Sequence, residues 1–302
     1  MFGPSSPGRL AGLVLIALAA VSWGTSGAVT TVLVTTAGTS PLVIGAVRLG
    51  LAAIVLAVIA GASGARLGLP RRDLTRCLAM GVCMAVYQAS YFTAVTLSGI
   101  AVSALVAICS APLGIAALAV LVLGERVRGR VVAALALGVV GTACLIGGPR
   151  AATDFSSRFV AGALLALTAG AAYASYVVIA KASLVRTPPL PLAAVTFALA
   201  AVILSPALVI GDAPWRQVIA GWPWLLYLGV VATGLAYAVY TIGLASVPAS
   251  VAGVVSLMEP LTATLLGVVL FSERLGALGV VGAVLMFAAI GLLLTAPDPS
   301  AP

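Results

Sequence analysis

Apolar runs of about 20 residues follow one another through this chain, separated by short clusters of Arg, Pro, Gly and Ser. Wound as a helix at roughly 1.5 Å per residue, each run matches the ~30 Å hydrocarbon core of a bilayer. That pattern leaves few folds open, because in lipid every backbone polar group must be bonded within the protein. Ten-residue segments of alternating polarity, the mark of a membrane barrel, are absent, and Leu and Ala runs stand in their place. Hydrophobic residues make up 63% of the chain and charged ones 7%, whereas a soluble domain carries roughly 25% charge. The sequence predicts an all-α polytopic membrane protein.

The run boundaries predict ten transmembrane helices, at 10–33, 41–61, 75–97, 100–123, 130–148, 159–181, 190–211, 222–244, 249–271 and 276–295. The links at Ser98–Gly99 and Val247–Pro248 are the least obvious, but without them two stretches would exceed any bilayer's needs. Arg9 before an apolar run also fits a signal peptide with a cleavage site near Ala17 to Ala19. The run continues past that point and a similar segment opens the second half, so it is read as a retained first span.

The stretch from Ala101 to Arg126 recurs as Ala249 to Arg274. Pro112 matches Pro260, Glu125 matches Glu273 and Ser98 matches Ser246 at one offset of 148 residues. This internal duplication divides the chain into a first five-helix repeat, 1–150, and a second, 151–302. Five crossings per copy are an odd number, so the second copy enters from the opposite side and the repeats are inverted. Inverted repeats are a recurring architecture of secondary transporters, with substrate held near the midplane where the copies meet.

Orientation follows from the basic residues of the short links. With the N-terminus inside, ten fall on the cytoplasmic side (Arg9, Arg66, Arg71, Arg72, Arg76, Arg126, Arg128, Arg130, Lys181, Arg186) and four opposite (Arg150, Arg158, Arg216, Arg274). Both termini are thus expected in the cytoplasm. The net charge of +8 is scattered between apolar runs with no basic stripe, which argues against a nucleic-acid partner.

One acid lies deep. Glu259 falls about ten residues into its span, near the midplane, where an ionisable group costs about 3 kcal/mol or more to insert. It reads either as a site for a proton or a cationic substrate group, or as a hydrogen-bonded tie between helices beside a proline kink. Its counterpart in the first copy is Ala111. Arg48, near the outer end of the second span, reads as a snorkelling helix-end anchor or as a cavity cation pairing with Glu259 or a substrate carboxylate. Pro112 and Pro260 each remove a mid-span donor and are expected to bend their helices; Pro206 is read as a local kink.

Trp23, Tyr87, Tyr91, Tyr173, Tyr176, Tyr237 and Tyr240 all lie mid-span, unlike Trp215, Trp222 and Trp224 at a span end. A tyrosine in hydrocarbon needs a hydroxyl partner, so the mid-span set is expected to face an interior cavity, with core packing as the alternative. Gln88, Thr25, Ser26, Ser103 and Ser110 add polar lining or helix-to-helix hydrogen bonds. Glu125 and Glu273 precede the fifth and tenth spans and are expected to cap them. Those two spans are rich in Gly and Ala and read as packing or subunit-contact helices. Cys77, Cys83, Cys109 and Cys144 show no paired spacing and the chain has no histidine, so no metal site and no cofactor are expected.

Trp23 and Gly24, Arg48, the Pro112 to Gly124-Glu125 segment and its repeat from Glu259-Pro260 to Glu273 resemble the EamA family of the drug/metabolite transporter superfamily. Ser272 departs from it, standing where the first copy has Gly124. The resemblance covers nearly the whole chain. It implies a ten-helix carrier of the cell membrane with both termini cytoplasmic. Its central cavity would be built by spans 1 to 4 and 6 to 9, and it would export amino acids, other metabolites or toxic compounds. The expected function is therefore a secondary exporter of small amphipathic or aromatic solutes working by alternating access. Trp23, Arg48, Gln88, Glu259 and the six tyrosines are the binding candidates, and Glu259 is also the candidate for proton coupling. A passive channel or facilitator is the alternative, and an intramembrane enzyme a more distant one, lacking histidine or paired aspartates. The expected partners are the lipid bilayer, a small-molecule substrate and protons, with the chain a monomer or a homodimer.

Overall fold

The computed structural model describes residues 8–146, 156–210, 213–271 and 276–294. Ten helical spans are long and apolar enough to cross a membrane: Arg9–Ala37, Pro41–Ala62, Arg71–Ser98, Val102–Leu123, Gly129–Ile146, Ser157–Leu184, Pro189–Leu208, Pro214–Ser246, Ala249–Val269 and Ala277–Leu294. We number them spans 1 to 10. Among the described residues no strand occurs. Span 8 begins eight residues earlier than the apolar run suggests, because Pro214 fits the first helical position, where no amide donor is needed. Arg150, Ser272, Glu273 and Arg274, which enter the orientation, departure and capping expectations, lie outside the described residues.

Four spans depart from continuous α-helix. Span 1 is two helices, Arg9–Gly24 and Ser26–Ala37, joined at Thr25, whose hydroxyl donates to the Ser22 carbonyl at 2.7 Å. Span 7 ends in a 3₁₀ turn, Ser205–Leu208, around Pro206. Span 8 contains a π-turn, Val230–Leu235. Span 9 is two helices, Ala249–Val255 and Met258–Phe271, interrupted at Ser256 and Leu257. Pro260 accounts for this last break, since it cannot donate to the Ser256 carbonyl and the Glu259 amide takes that carbonyl instead at 3.0 Å. Pro112, at the matching position of span 4, lies inside a helix that runs unbroken from Ile100 to Leu123. The two prolines therefore act unequally, contrary to the symmetric expectation.

Packing follows one rule in both halves. Span 1 packs on span 8 as span 6 packs on span 3, and span 9 lies on span 1 as span 4 lies on span 6. Spans 2 and 7 pack on each other, as do spans 5 and 10. The last pair meets at Gly141 and Gly282: a Cβ on Gly282 would stand 2.6 Å from the Gly141 carbonyl, so the two backbones touch. The small residues of spans 5 and 10 thus serve a contact within one chain.

The ends of the bundle are tied by side chains from distant links. At one end Ser40 N donates to Gln217 Oε1 at 2.8 Å, joining the span 1–2 link to the start of span 8. At the other, the Glu125 carboxylate accepts from Ala249 N at 2.7 Å, Ser250 N at 3.2 Å and Ser250 Oγ at 2.8 Å. Glu125 therefore caps span 9, in the other half of the chain, and not span 5 as its place in the sequence suggests. Beside it Lys181 Nζ donates to the carbonyls of Leu244 and Ala245 at 2.9 and 3.2 Å, closing the C-terminal end of span 8. Large apolar side chains such as Leu121 and Val269 point outward, 80% and 74% exposed, as a lipid-facing surface requires.

Candidate functional site

A cavity of about 470 Å³ lies among spans 1, 2, 3, 4, 6, 8 and 9. That includes every span the resemblance assigned to it except span 7. Its volume falls in the roughly 300–1,000 Å³ range of small-molecule sites. Along span 1 the lining runs from Trp23 to Thr35, along span 3 from Met84 to Thr96, and along span 4 from Ala107 to Ile115. The cavity thus occupies the half of the bundle nearer the span 1–2 and 3–4 links. The opposite half, where Glu125 and Lys181 tie spans 8 and 9, is packed shut.

Trp23, Tyr87, Tyr91, Tyr173 and Tyr237 line the cavity and touch one another. Trp23 is the hub, its ring centroid 4.9 Å from that of Tyr237 and 6.3 Å, edge-on, from that of Tyr173. Tyr87 lies 5.5 Å from Tyr173 and stacks with Tyr91 at 6.1 Å. Tyr176 and Tyr240 stand apart from the other candidates: 1% and 0% exposed, they are no part of the lining. They pack behind it, Tyr240 against Trp23 at 5.1 Å and Tyr176 against Tyr173 at 6.0 Å.

Polar lining includes Gln88, Ser26, Thr233 and Ser256, together with Arg48 and Glu259, and Thr30, Thr31, Thr35 and Thr96 continue it toward the span ends. Thr25 and Ser103 bond between spans instead, Thr25 Oγ1 with the Tyr227 hydroxyl at 2.8 Å and Ser103 Oγ with Ser98 Oγ at 3.0 Å, while Ser110 Oγ donates to the Ala107 carbonyl of its own helix at 3.2 Å. Buried Trp23 Nε1, Ser26 Oγ and the Tyr173 hydroxyl lack a hydrogen-bond partner among the described residues, so three polar atoms of cavity-lining residues are left for something other than protein.

Glu259 sits in the first turn of the helix Met258–Phe271, where the positive end of the helix favours its negative charge. Its carboxylate makes no hydrogen bond or ion pair with a described residue. Arg48 reaches the same cavity and donates from Nε to Thr233 Oγ1 at 3.0 Å. The two opposite charges share one space without forming a pair. Gly24 brings spans 1 and 9 together beside them: a Cβ there would stand 2.7 Å from the Glu259 carbonyl. Pro112 lines the cavity, while Pro260 does not. Among the described residues no group of three His, Cys, Asp or Glu could hold a metal ion.

Sequence reasoning passed over the lining threonines of spans 1 and 3 and, nearest the two charges, Thr233 and Ser256. The signals were a Thr-Gly pair inside an otherwise apolar run at 233–234 and a serine three residues before Glu259.

The model of the EamA-like transporter family matches residues 10–147 and again 160–295. The chain belongs to this family. As an EamA-like transporter it is a multi-pass membrane protein, similar over 290 residues, at 38% identity, to the uncharacterized transporter YwfM of Bacillus subtilis (strain 168), covering 95% of this chain and 94% of that one. It is 30% identical over 210 residues to the aromatic amino acid exporter YddG of Ancylobacter novellus, covering 69% and 72% of the two chains. A solved crystal structure shares the EamA-like fold with a TM-score of 0.82 over 94% of this chain, at 23% identity.

Proposed function

We propose that this EamA-like transporter is a secondary exporter of aromatic or amphipathic amino-acid-like solutes, working by alternating access through the central cavity. One observation carries the reading: an aromatic wall and two mutually unpaired opposite charges, Arg48 and Glu259, share one cavity. A zwitterion with an aromatic side chain matches that lining at three points, carboxylate to Arg48, ammonium to Glu259 and ring to Trp23 and its neighbours. The exporter YddG, a relative, carries a name of the same substrate class.

The two halves act as inverted repeats with both termini in the cytoplasm of a cell-membrane protein. Support comes from five spans per half, from packing that keeps its pattern when the halves are exchanged, and from the basic links. In this orientation the cavity opens outward and the Glu125 and Lys181 ties close the cytoplasmic side. One chain supplies the whole cavity, so a single chain suffices as the transport unit, alone or within a homodimer.

Counterflow of radiolabelled L-phenylalanine and L-tryptophan in proteoliposomes tests the substrate class. Saturable exchange is the expected result, and non-saturable flux without exchange would establish a channel instead. Proton coupling is tested at Glu259, where substrate ammonium and proton would compete for one carboxylate. Glu259→Gln should remove uptake driven by a pH gradient, and a variant whose rate and pH profile match the wild type would sink the coupling.

A further inference from the structure

Span 8 and span 3 hold equivalent places in the two halves, yet only span 8 carries a π-turn, at Val230–Leu235. The matching stretch of span 3, Val82 to Tyr87, is ordinary α-helix. A π-turn has poorer hydrogen bonds than the helix it interrupts and persists where its surroundings hold it, often at a functional site. Here span 2 presses against it: a Cβ on Gly234 would stand 2.9 Å from Val55 Cβ. Span 1 also reaches it, Ser22 Oγ donating to the Val231 carbonyl at 3.5 Å.

The turn sets Thr233, 1% exposed, against Arg48. A threonine hydroxyl has one proton and two lone pairs. The proton goes to the Leu228 carbonyl, five residues back, at 2.7 Å, and a lone pair accepts Arg48 Nε at 3.0 Å. Leu228 thereby fixes the direction of the hydroxyl, and the hydroxyl fixes the guanidinium. Arg48 has no other hydrogen-bond partner among the described residues, and it lines the cavity.

A guanidinium offers a carboxylate two forks, side-on through Nε and one Nη, or end-on through both Nη groups. With Nε committed to Thr233, only the end-on fork is left. We propose that the π-turn of span 8 makes Arg48 an end-on clamp for a substrate carboxylate, with Thr233 as its positioning residue. The inference rests on the carrier reading above and sharpens its substrate class: the solute bears a carboxylate, and affinity for that group depends on a residue that does not touch it.

The test uses the full-length protein in proteoliposomes and three probes: L-phenylalanine, 3-phenylpropanoate without the ammonium group, and 2-phenylethylamine without the carboxylate. Thr233→Val keeps the shape but removes the acceptor. It should raise the half-saturation constant for both carboxylates about tenfold, the effect of losing one well-placed hydrogen bond to a charged group, and leave 2-phenylethylamine competition unmoved. Thr233→Ser should restore wild-type constants. Arg48→Lys, which keeps the charge but has no fork, should lose carboxylate preference even if Thr233→Val fails to fold.

Equal shifts for all three probes in a folded Thr233→Val, or none, would overturn the clamp. If the wild type moves L-phenylalanine and Thr233→Val matches it, the clamp falls and the amino-acid reading stands. If the wild type takes 3-phenylpropanoate in a Thr233-dependent way but ignores L-phenylalanine, the clamp stands and the amino-acid reading falls. Binding of no carboxylate overturns both.

Discussion

Gly24→Val is expected to abolish transport and to lower the thermal stability of the detergent-solubilised protein. A Cβ at this position would stand 2.6 Å from Thr262 Cβ and 2.7 Å from the Glu259 carbonyl. The carbonyl belongs to the backbone of span 9 and cannot rotate aside, so spans 1 and 9 must separate. Overpacking of this kind costs about 1–3 kcal/mol, and valine adds two methyl groups to the clash. The separation also falls next to Trp23 and Glu259, which both line the cavity, so the site is expected to be lost with the packing. Gly50→Ala is the control, since nothing lies within 4 Å of its Cβ position; its stability should be unchanged or raised by up to about 1 kcal/mol, because alanine is the better helix former. A Gly24→Val protein that melts and transports normally would show that spans 1 and 9 do not meet this closely.

Glu125→Ala is expected to loosen the packed end of the bundle. Span 9 starts at Ala249 after Pro248, which offers no side-chain cap, and its first amides are served by a carboxylate 124 residues away in sequence. Three hydrogen bonds to one charged acceptor are lost together. Caps and charge-assisted bonds put that loss at about 2–4 kcal/mol. It falls on the contact between the halves that seals this end. The measurement is modification of an Ala252→Cys reporter by a water-soluble maleimide, with the four native cysteines replaced. Ala252 is fully buried, so its labelling reports opening, which should rise about tenfold or more, the factor that 1.4 kcal/mol supplies. Glu125→Gln, able to accept from Ala249 but from neither donor of Ser250, should fall between. Unchanged labelling in both variants would show that the carboxylate does not hold this end closed.

The ten spans were legible because burial in lipid writes itself into the sequence as length and apolarity, and both short links, at Ser98–Gly99 and Val247–Pro248, stand close to where the run lengths demanded them. The ring candidates were legible for a related reason: a tyrosine hydroxyl in mid-span has to be placed somewhere, and five of the seven aromatic candidates line one cavity. What periodicity could not carry was deviation from helix. The break at Thr25 and the π-turn before Ala236 leave the hydropathy of their runs unchanged, and are held by partners such as Tyr227 and Val55 from other parts of the chain. Glu125 misled for the opposite reason. Sequence proximity offered span 5 as its partner, while folding brought the uncapped start of span 9 nearer.

The unequal behaviour of the two matched prolines reaches into kinetics. Span 4 runs whole through Pro112 and span 9 is broken before Pro260, so exchanging the roles of the halves does not return the same molecule. Under the proposed alternating-access mechanism, the empty carrier is therefore expected to have a preferred resting side. Half-saturation concentrations measured from the two faces should differ, and the maximal rates should differ by the same ratio, because without an energy source a carrier cannot move solute in a circle. On that proposal the broken helix would set how the carrier waits between loads, a property that no inspection of the cavity lining alone would yield.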